Sequence, residues 1–505
     1  MINFTPISKP YFAMVYKAEQ RARQDVEQSQ KTTLHKLITA GVKTEYGEER
    51  GFSPTDGYLD FLIKAETASY ESFRPEVERM IRGEKDVLWP GVCQRFAQSS
   101  GTSGGKSKYI PLTDDSLNWC HYPGAAYSLA SYLHHYPDSR LFGGKNFILG
   151  GSYANELQNL SAGVKVGDLS ASLIDRINPL VNLFRVPDKK TALMSDWQEK
   201  LPRLAILAAK ADIRSISGVP SWFLAVLKQV LEQTGASNIH EVWPNLEVFF
   251  HGGIAFPPYR EQYQRITNPD KMRYWENYNA SEGFFAVQET PDSPEMGLLM
   301  NANIFYEFDE VGGSGYPVPA WQVEVGKVYE LLITSTNGLW RYRIGDTVKV
   351  HSVNPLTITI AGRTKSFINA FGEELMVYNA EAAMARATAM TAAEVLDYTA
   401  APVYAGDHSR GRHQWLIEFA KLPDCGVETF AEILDQELQK ENSDYQAKRA
   451  GNLFLDRLEI ISATRGVFNR WLAATGKLGG QRKVPRLSND RTIIDHLLEL
   501  NNLNS

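Results

Sequence analysis

SSGTSGGKSKYIPLT, residues Ser99–Thr113, is the stretch on which the fold turns. Serine, threonine and glycine lead into Gly105-Lys106-Ser107, as in a phosphate loop. A Walker A loop follows G-x-x-x-x-G-K-[ST] and so needs glycine at position 100. Position 100 is serine, and the glycine stands at 101. The context differs too. A P-loop runs straight into the helix whose N-terminus holds the phosphates. Here Lys108-Tyr109-Ile110-Pro111-Leu112 reads as a strand, and a helix starts no earlier than Thr113, an N-capping residue type. The stretch therefore reads as a loop between two strands. Its glycines allow close backbone approach, and its hydroxyls and amides offer donors to phosphate oxygens.

The flanking sequence has the rhythm of an α/β protein. Residues 11–48 are rich in helix formers. Strands are expected at 92–98, 146–150, 213–217, 246–251 and 273–278, and amphipathic helices at 201–211 and 220–235. Such alternation argues for helices layered on a sheet. From about 299 to 350 the pattern turns strand-rich (NANIFYEFDE, WQVEVGKVYELLITS, LWRYRIGDTVKVHSV). A second unit is expected from residue 352, where turn residues precede a new strand. Helix NAEAAMARATAMTAAEV, strand HQWLIEFAKL, helix VETFAEILDQELQKEN and strand LFLDRLEIISAT follow. The expected organisation is a large N-terminal α/β domain with an added β-rich subdomain over 1–351, and a smaller α+β C-terminal lid over 352–505. A chain of 505 residues is too long for one core.

Composition removes several classes of function. With 43% hydrophobic and 22% charged residues and a net charge of -6, the chain is ordinary globular protein without a basic block. No nucleic-acid partner is expected. The N-terminus lacks the apolar segment of a signal peptide, and no run of apolar residues is long enough to span a bilayer. Cys93, Cys120 and Cys425 are odd in number and far apart, which suits a reducing cytoplasm and suggests neither disulfides nor a zinc site.

Two later segments join the opening loop. Tyr278-Asn279-Ala280-Ser281-Glu282-Gly283 resembles the Tyr-x-x-[Ser/Thr]-Glu motif of the adenylate-forming superfamily, and Tyr342-Arg343-Ile344-Gly345-Asp346 resembles its Tyr-Arg-x-Gly-Asp motif. Each motif alone is weak, but three in the superfamily's order are specific. SSGTSGGKSKYIPLT, NYNASEGFFAVQ, LWRYRIGDTVKV and the late GGQRKVPRL together resemble the acyl acid-amido synthetases of the Gretchen Hagen family, the auxin-responsive proteins of plants. The resemblance extends from about residue 90 to residue 490. It departs at Phe371-Gly372-Glu373-Glu374-Leu375, where the plant pattern carries an Asp-Lys pair, so no role is carried over there.

The resemblance implies two half-reactions. A carboxylate attacks the α-phosphorus of ATP and releases pyrophosphate; an amine then attacks the acyl-adenylate and releases AMP. An acyl-CoA ligase shares the first step and is the nearest rival reading. A non-catalytic nucleotide-binding regulator is a further one. Anion meets anion in the first step, so positioning and charge neutralisation must do most of the work. Ser99, Ser100, Thr102 and Lys106 would hold the triphosphate. Glu282 would hold magnesium, since a hard cation wants carboxylate oxygen. Tyr278, Ala280 and Ser281 would flank adenine. Asp346 would accept from the ribose hydroxyls, and Arg363 would reach ribose or phosphate. Lys483, in a loop read as able to swing, would meet the α-phosphate as charge builds. His251, Gly252 and Gly253 are candidates for the acyl pocket, with Gly150-Gly151-Ser152-Tyr153 a second wall. The expected partners are a small carboxylic acid and an amine, the amine expected to be an amino acid.

Overall fold

The structure, a computed structural model, describes residues 3–502 except 100–107, 156, 158–159, 254–255, 364–366, 369–372, 374, 404–410, 443–444, 447–448, 450–454, 476–482 and 489. β1 (Arg95–Ser99) and β2 (Lys108–Pro111) pair antiparallel, with Ser99 opposite Lys108. The opening stretch is thus strand, loop, strand. Thr113 caps the helix that follows, its hydroxyl accepting from the Ser116 amide at 2.9 Å. That helix begins at Asp114, passes through a π-turn at Leu117–His121 and continues as Tyr122–His135.

β3 (Lys145–Ile148) belongs to a larger sheet, while β4 (Lys165–Gly167) pairs in parallel with β1. β5 (Arg185–Val186), β6 (Ile213–Gly218), β7 (Val248–Gly252) and β8 (Arg273–Ala280) join β3 in parallel, in the order β5-β3-β6-β7-β8. Next along the chain come β9 (Gly283–Gln288), β10 (Met296–Leu298), β11 (Ile304–Glu310), β12 (Val318–Pro319), β13 (Val328–Ser335), β14 (Leu339–Val353) and β15 (Leu356–Arg363). They extend the sheet from β8 in the order β9-β10-β15-β14-β13-β11-β12, antiparallel throughout. Among the described residues this one sheet holds twelve strands.

Both faces of the parallel half are covered, so its strands are apolar on both sides. Phe249 of β7 packs into a core with the helices Trp197–Ala209, Pro220–Thr234 and Pro257–Ile266; Val248 and Phe250 point into the opposite core, shared with the N-terminal helices and Tyr122–His135. The helix ends are those the sequence encodes: Pro220 fills the first turn, and Gly235, at φ 70°, closes the last in the left-handed region.

β16 (Phe367–Ile368) and β17 (Leu375–Met376) lead into a second unit built on β18 (Glu394–Val403), β19 (Arg412–Lys421) and β20 (Glu459–Ser462). The helices Val377–Thr391 and Val427–Glu441 bury Met384, Phe430 and Leu434 against Trp415 on one face of this sheet. Val467–Ala474 and Thr492–Asn502 bury Phe468 and Leu497 against Leu416 on the other. The sequence reading began this unit at 352. The β14–β15 hairpin instead carries the chain back into the large sheet as far as Arg363, and we propose that the division falls after that residue. Among the described residues no helix is long and apolar enough to cross a membrane.

Candidate active site

β8 is where the large sheet changes from parallel to antiparallel. Ligand sites of α/β sheets lie at the carboxyl ends of parallel strands, at such switch points. The carboxyl end of β8 carries Tyr278 and Ala280, and its turn into β9 carries Ser281 and Glu282. Tyr278, Ser281 and Glu282 are buried. The Tyr278 hydroxyl donates to Asp346 Oδ2 at 2.8 Å. The residues read as adenine and ribose partners, 68 positions apart in sequence, are therefore in contact.

Asp346 reaches this point because β14 bulges. Opposite Glu330–Leu332 of β13, β14 places Arg343–Thr347, two residues more. Gly345 in the bulge has φ 83°, a backbone that favours glycine. Bulges re-aim side chains in this way. On its other side Asp346 pairs with Arg363 of β15.

The opening hairpin meets the same point. Lys108 Nζ donates to the Tyr342 hydroxyl at 3.2 Å, and that hydroxyl donates to Glu282 Oε1 at 3.4 Å. Lys108 and Tyr342 stand inside the quoted motifs, yet the sequence reading gave neither a role. Ser100, Thr102 and Lys106 lie outside the described residues, as do the side chains of Ser99 and Arg363.

The turn holding Glu282 is clamped from below by the π-turn. Cys120 Sγ accepts from the Phe284 amide at 3.3 Å, and His121 lies against the Ser281 backbone, kept neutral by burial that lowers its pKa to about 4. A Cβ on Gly124 would come within 2.4 Å of the Phe284 ring. Gly124→Ala is accordingly expected to destabilise the protein by about 1–3 kcal/mol through overpacking. The displaced turn would also raise the KM of any nucleotide held there. Urea unfolding and nucleotide kinetics check this, and a variant with parental values in both would show that the turn tolerates the shift.

β7 ends at His251 and Gly252. His251 is buried, its ring stacked on Phe256 at 4.2 Å, and its pKa is lowered to about 3 by burial and then by Arg260. It is a neutral aromatic surface. Gly252 has no space for a side chain, since a Cβ would meet Asn277 O at 2.3 Å. Gly253, at φ 80°, faces Lys483: a Cβ there would lie 3.5 Å from its Nζ. The second proposed wall is tied into the scaffold. Lys200 donates to Gly150 O, Ser170 holds the Gly151 amide and Asp168 holds the Ser152 amide.

Lys483 arrives by domain docking. The helix Pro257–Ile266, directly after Gly253, receives the edge of β18: Gln262 Nε2 donates to Val395 O and the Tyr259 hydroxyl to Leu396 O, both at 3.4 Å, and Arg265 pairs with Glu394. Next to Lys483 the chain is pinned along β18. Thr399 donates to Pro485 O at 2.6 Å, and Ala400 pairs with Arg486 and Ser488. The end of the loop read as able to swing is thus tied to the C-terminal unit at Pro485, Arg486 and Ser488, and Lys483 stands two residues before the first of these contacts.

Two sets of side chains meet here: a Tyr–Asp and Lys–Tyr–Glu constellation joining the large sheet to the β1–β2 hairpin, and a lysine delivered from a separate unit. Together with the sheet order they define the fold of an adenylate-forming enzyme. Comparison with known proteins gives the family. The GH3 family N-terminal, central and C-terminal domains match residues 16–272, 297–363 and 378–492. The chain belongs to the GH3 family. It is 23% identical to the indole-3-acetic acid-amido synthetase GH3.8 of Oryza sativa subsp. indica, over 92% of this chain and 88% of the relative. It is 22% identical to the jasmonoyl–L-amino acid synthetase JAR4 of Nicotiana attenuata, over 65% of this chain and 67% of the relative. Among solved structures, AtGH3.15 acyl acid amido synthetase in complex with 2,4-DB superposes with a TM-score of 0.78 at 19% identity, over 100% of this chain and 97% of that one. A 2-hydroxyisobutyryl-CoA ligase shares the fold at a TM-score of 0.59 and 13% identity, over 97% and 92%.

Proposed function

We propose that the protein is an ATP-dependent ligase that adenylates a small carboxylic acid and passes the acyl group to an amino acid. The observation that carries this reading is the meeting of all three motifs at one point: Lys108 from the hairpin, Tyr278 and Glu282 from the β8–β9 turn, and Tyr342 and Asp346 from β14.

Asp346 would accept from the ribose hydroxyls while Tyr278, held by the same carboxylate, packs against adenine. Ser99, Ser100, Thr102 and Lys106 would supply donors to the β- and γ-phosphates, with the Ala280–Ser281 backbone beside the base and Arg363 near the ribose. Glu282 fits a magnesium ligand: it is one buried carboxylate, and magnesium takes one or two carboxylates and completes its shell with water and substrate phosphates. Bound magnesium would neutralise phosphate charge. His251, Gly252 and Gly253 would line the acid's path, with Lys483 beside Gly253. The Lys483 ammonium would meet the charge that develops as the carboxylate attacks the α-phosphorus. Closure of the C-terminal unit would keep water from the acyl-adenylate.

The test is acid-dependent ATP–pyrophosphate exchange with magnesium, begun with indole-3-acetic acid and 2,4-DB and extended to other small acids. Products with mixed amino acids and with CoA are then read by mass spectrometry. Exchange followed by an amide is the expected result. A thioester with no amide would move the protein to the CoA ligases, and exchange with no acid at all would overturn the reading. In the same assay 2′-deoxy-ATP is expected to lose about 10- to 100-fold in kcat/KM, because it forgoes one hydrogen bond to a charged acceptor, worth about 1.5–3 kcal/mol. Equal use of both nucleotides would remove Asp346 from the ribose.

A further inference from the structure

Outside the constellation above, three charged side chains face one seam between the two units. Glu276 of β8 stands opposite His251 in the β7–β8 ladder, two residues before Tyr278. Arg260 lies on the helix after Gly253, its guanidinium over the rings of Phe256 and Tyr274 at 5.2 and 5.6 Å. Glu381 comes from the other unit, in the first turns of Val377–Thr391. Glu276 and Glu381 are half-buried, and among the described residues neither carboxylate has a hydrogen-bond or ion-pair partner. Two acids brought together without partners are costly unless something cationic comes between them.

A crevice adjoins this cluster. Glu381, Ala385 and Thr388 lie on one face of their helix by its 3.6-residue period. Arg260, Ala385 and Thr388, with Glu261 and Glu394, line a crevice of about 280 Å³ between the two units, and Glu276 and Glu381 stand beside it and not in its lining. Lys483, whose Nζ stands against Gly253, is close enough to Glu381 for their charges to interact.

We infer that this seam receives the acceptor amino acid: Glu276 and Glu381 hold its ammonium and take its protons, and Arg260 holds its carboxylate. The inference rests on the reading above and adds to it the residues that bind and activate the nucleophile. An ammonium has no lone pair, so one N–H bond must break first, its proton passing to a carboxylate oxygen of the pair. The freed lone pair forms the C–N bond to the acyl carbonyl carbon. The C–O bond to phosphate then breaks, its electrons leaving with AMP, and the nitrogen's second proton passes to the other carboxylate. Two protons leave the nitrogen, and two carboxylates face it.

The electrostatics suit this use. Burial raises both carboxyls to about 7; the other acid raises Glu276 further, Arg260 opposes that, and Arg486 and Lys483 oppose the rise of Glu381. A base is most effective when its pKa lies near the working pH. The other titratable groups at the seam are His251, held neutral, Tyr259, Asp397 and Tyr398 around Arg486, and Glu261 and Glu394, both paired with Arg265.

The experiment uses the full chain and separates the two half-reactions. Glu381→Gln and Glu276→Gln are assayed for pyrophosphate exchange, and for amide formation in a single turnover with aspartate or glycine. Exchange is expected to fall by less than about threefold and amide formation by about 10²–10⁴-fold, the usual worth of general base catalysis. The rise of amide formation with pH near neutrality should disappear in the variants. Hydroxylamine, already neutral at that pH, should trap the acyl group at nearly the parental rate. Arg260→Gln should raise the acceptor KM about tenfold or more for amino acids, and leave hydroxylamine trapping unchanged. Amide formation at the parental rate in both Gln variants would overturn the inference while leaving the ligase reading intact. So would an equal loss in exchange and in trapping, which marks a damaged fold. Absence of exchange in the parent with every acid would overturn both.

Discussion

Lys483→Ala is expected to lower acid-dependent ATP–pyrophosphate exchange by about 10²–10³-fold, with ATP affinity changed by less than about threefold. The magnitude is that of removing one preorganised group aimed at developing charge in a dry site. The asymmetry follows from timing. On the proposed reading the hairpin and the β8–β9 turn would hold the triphosphate in the ground state, whereas the lysine's contact would strengthen only as the carboxylate closes on phosphorus. Lys483 is well placed for this, since its Nζ sits against Gly253 at the carboxyl end of β7 and the chain beside it is pinned along β18. Exchange rates and equilibrium ATP binding decide the matter. If binding collapses while exchange per bound enzyme stays parental, the lysine is a ground-state anchor. If neither changes, it is a bystander.

Glu307→Ala is expected to cost about 3–5 kcal/mol of stability, the penalty of stranding a buried charge. Arg341 grips Glu307 through Nε at 2.9 Å and a terminal nitrogen at 2.8 Å, and donates its remaining nitrogen to Ala65 O at 2.8 Å. The two side chains are 8% and 1% exposed. Arg341 also has φ 44°, a backbone that only its surroundings hold in place. Its neighbour Tyr342 carries the hydroxyl between Lys108 and Glu282, so the loss should reach the site as weaker nucleotide binding. Urea unfolding followed by tryptophan fluorescence measures it. A variant within about 0.5 kcal/mol of the parent would show that the pair contributes specificity and not stability. Glu307→Gln, which keeps hydrogen-bonding atoms, should fall between the two.

Much of this was legible because it is local. The failed Walker spacing and the strand after Lys106 place the hairpin, and Ser99 does stand opposite Lys108. The three motifs could be quoted whole, and the structure brings their described members together. What escaped depends on packing between distant segments. A π-turn such as Leu117–His121 has no sequence period of its own, so Cys120 and His121 gave no sign of bracing Ser281 and Phe284. The turn residues Asn354-Pro355 read as opening a second unit, yet they turn a hairpin within the large sheet. Glu276 on an apolar strand and Glu381 on an alanine-rich helix look like isolated charges until the two units dock.

The sheet's reversal at β8 also bears on how the protein folds. Tyr278 meets Asp346 only if β15 has returned to pair with β10, joining Ile358 to Met296 across some sixty residues. Such non-local pairings form slowly, since the loop must close before its contacts repay the lost entropy. A nascent chain therefore carries the β1–β2 hairpin and the Glu282 turn well before Tyr278 and Asp346 can meet. Nucleotide bound as proposed would stabilise only chains whose sheet is complete, coupling ligand binding to folding of the whole large domain.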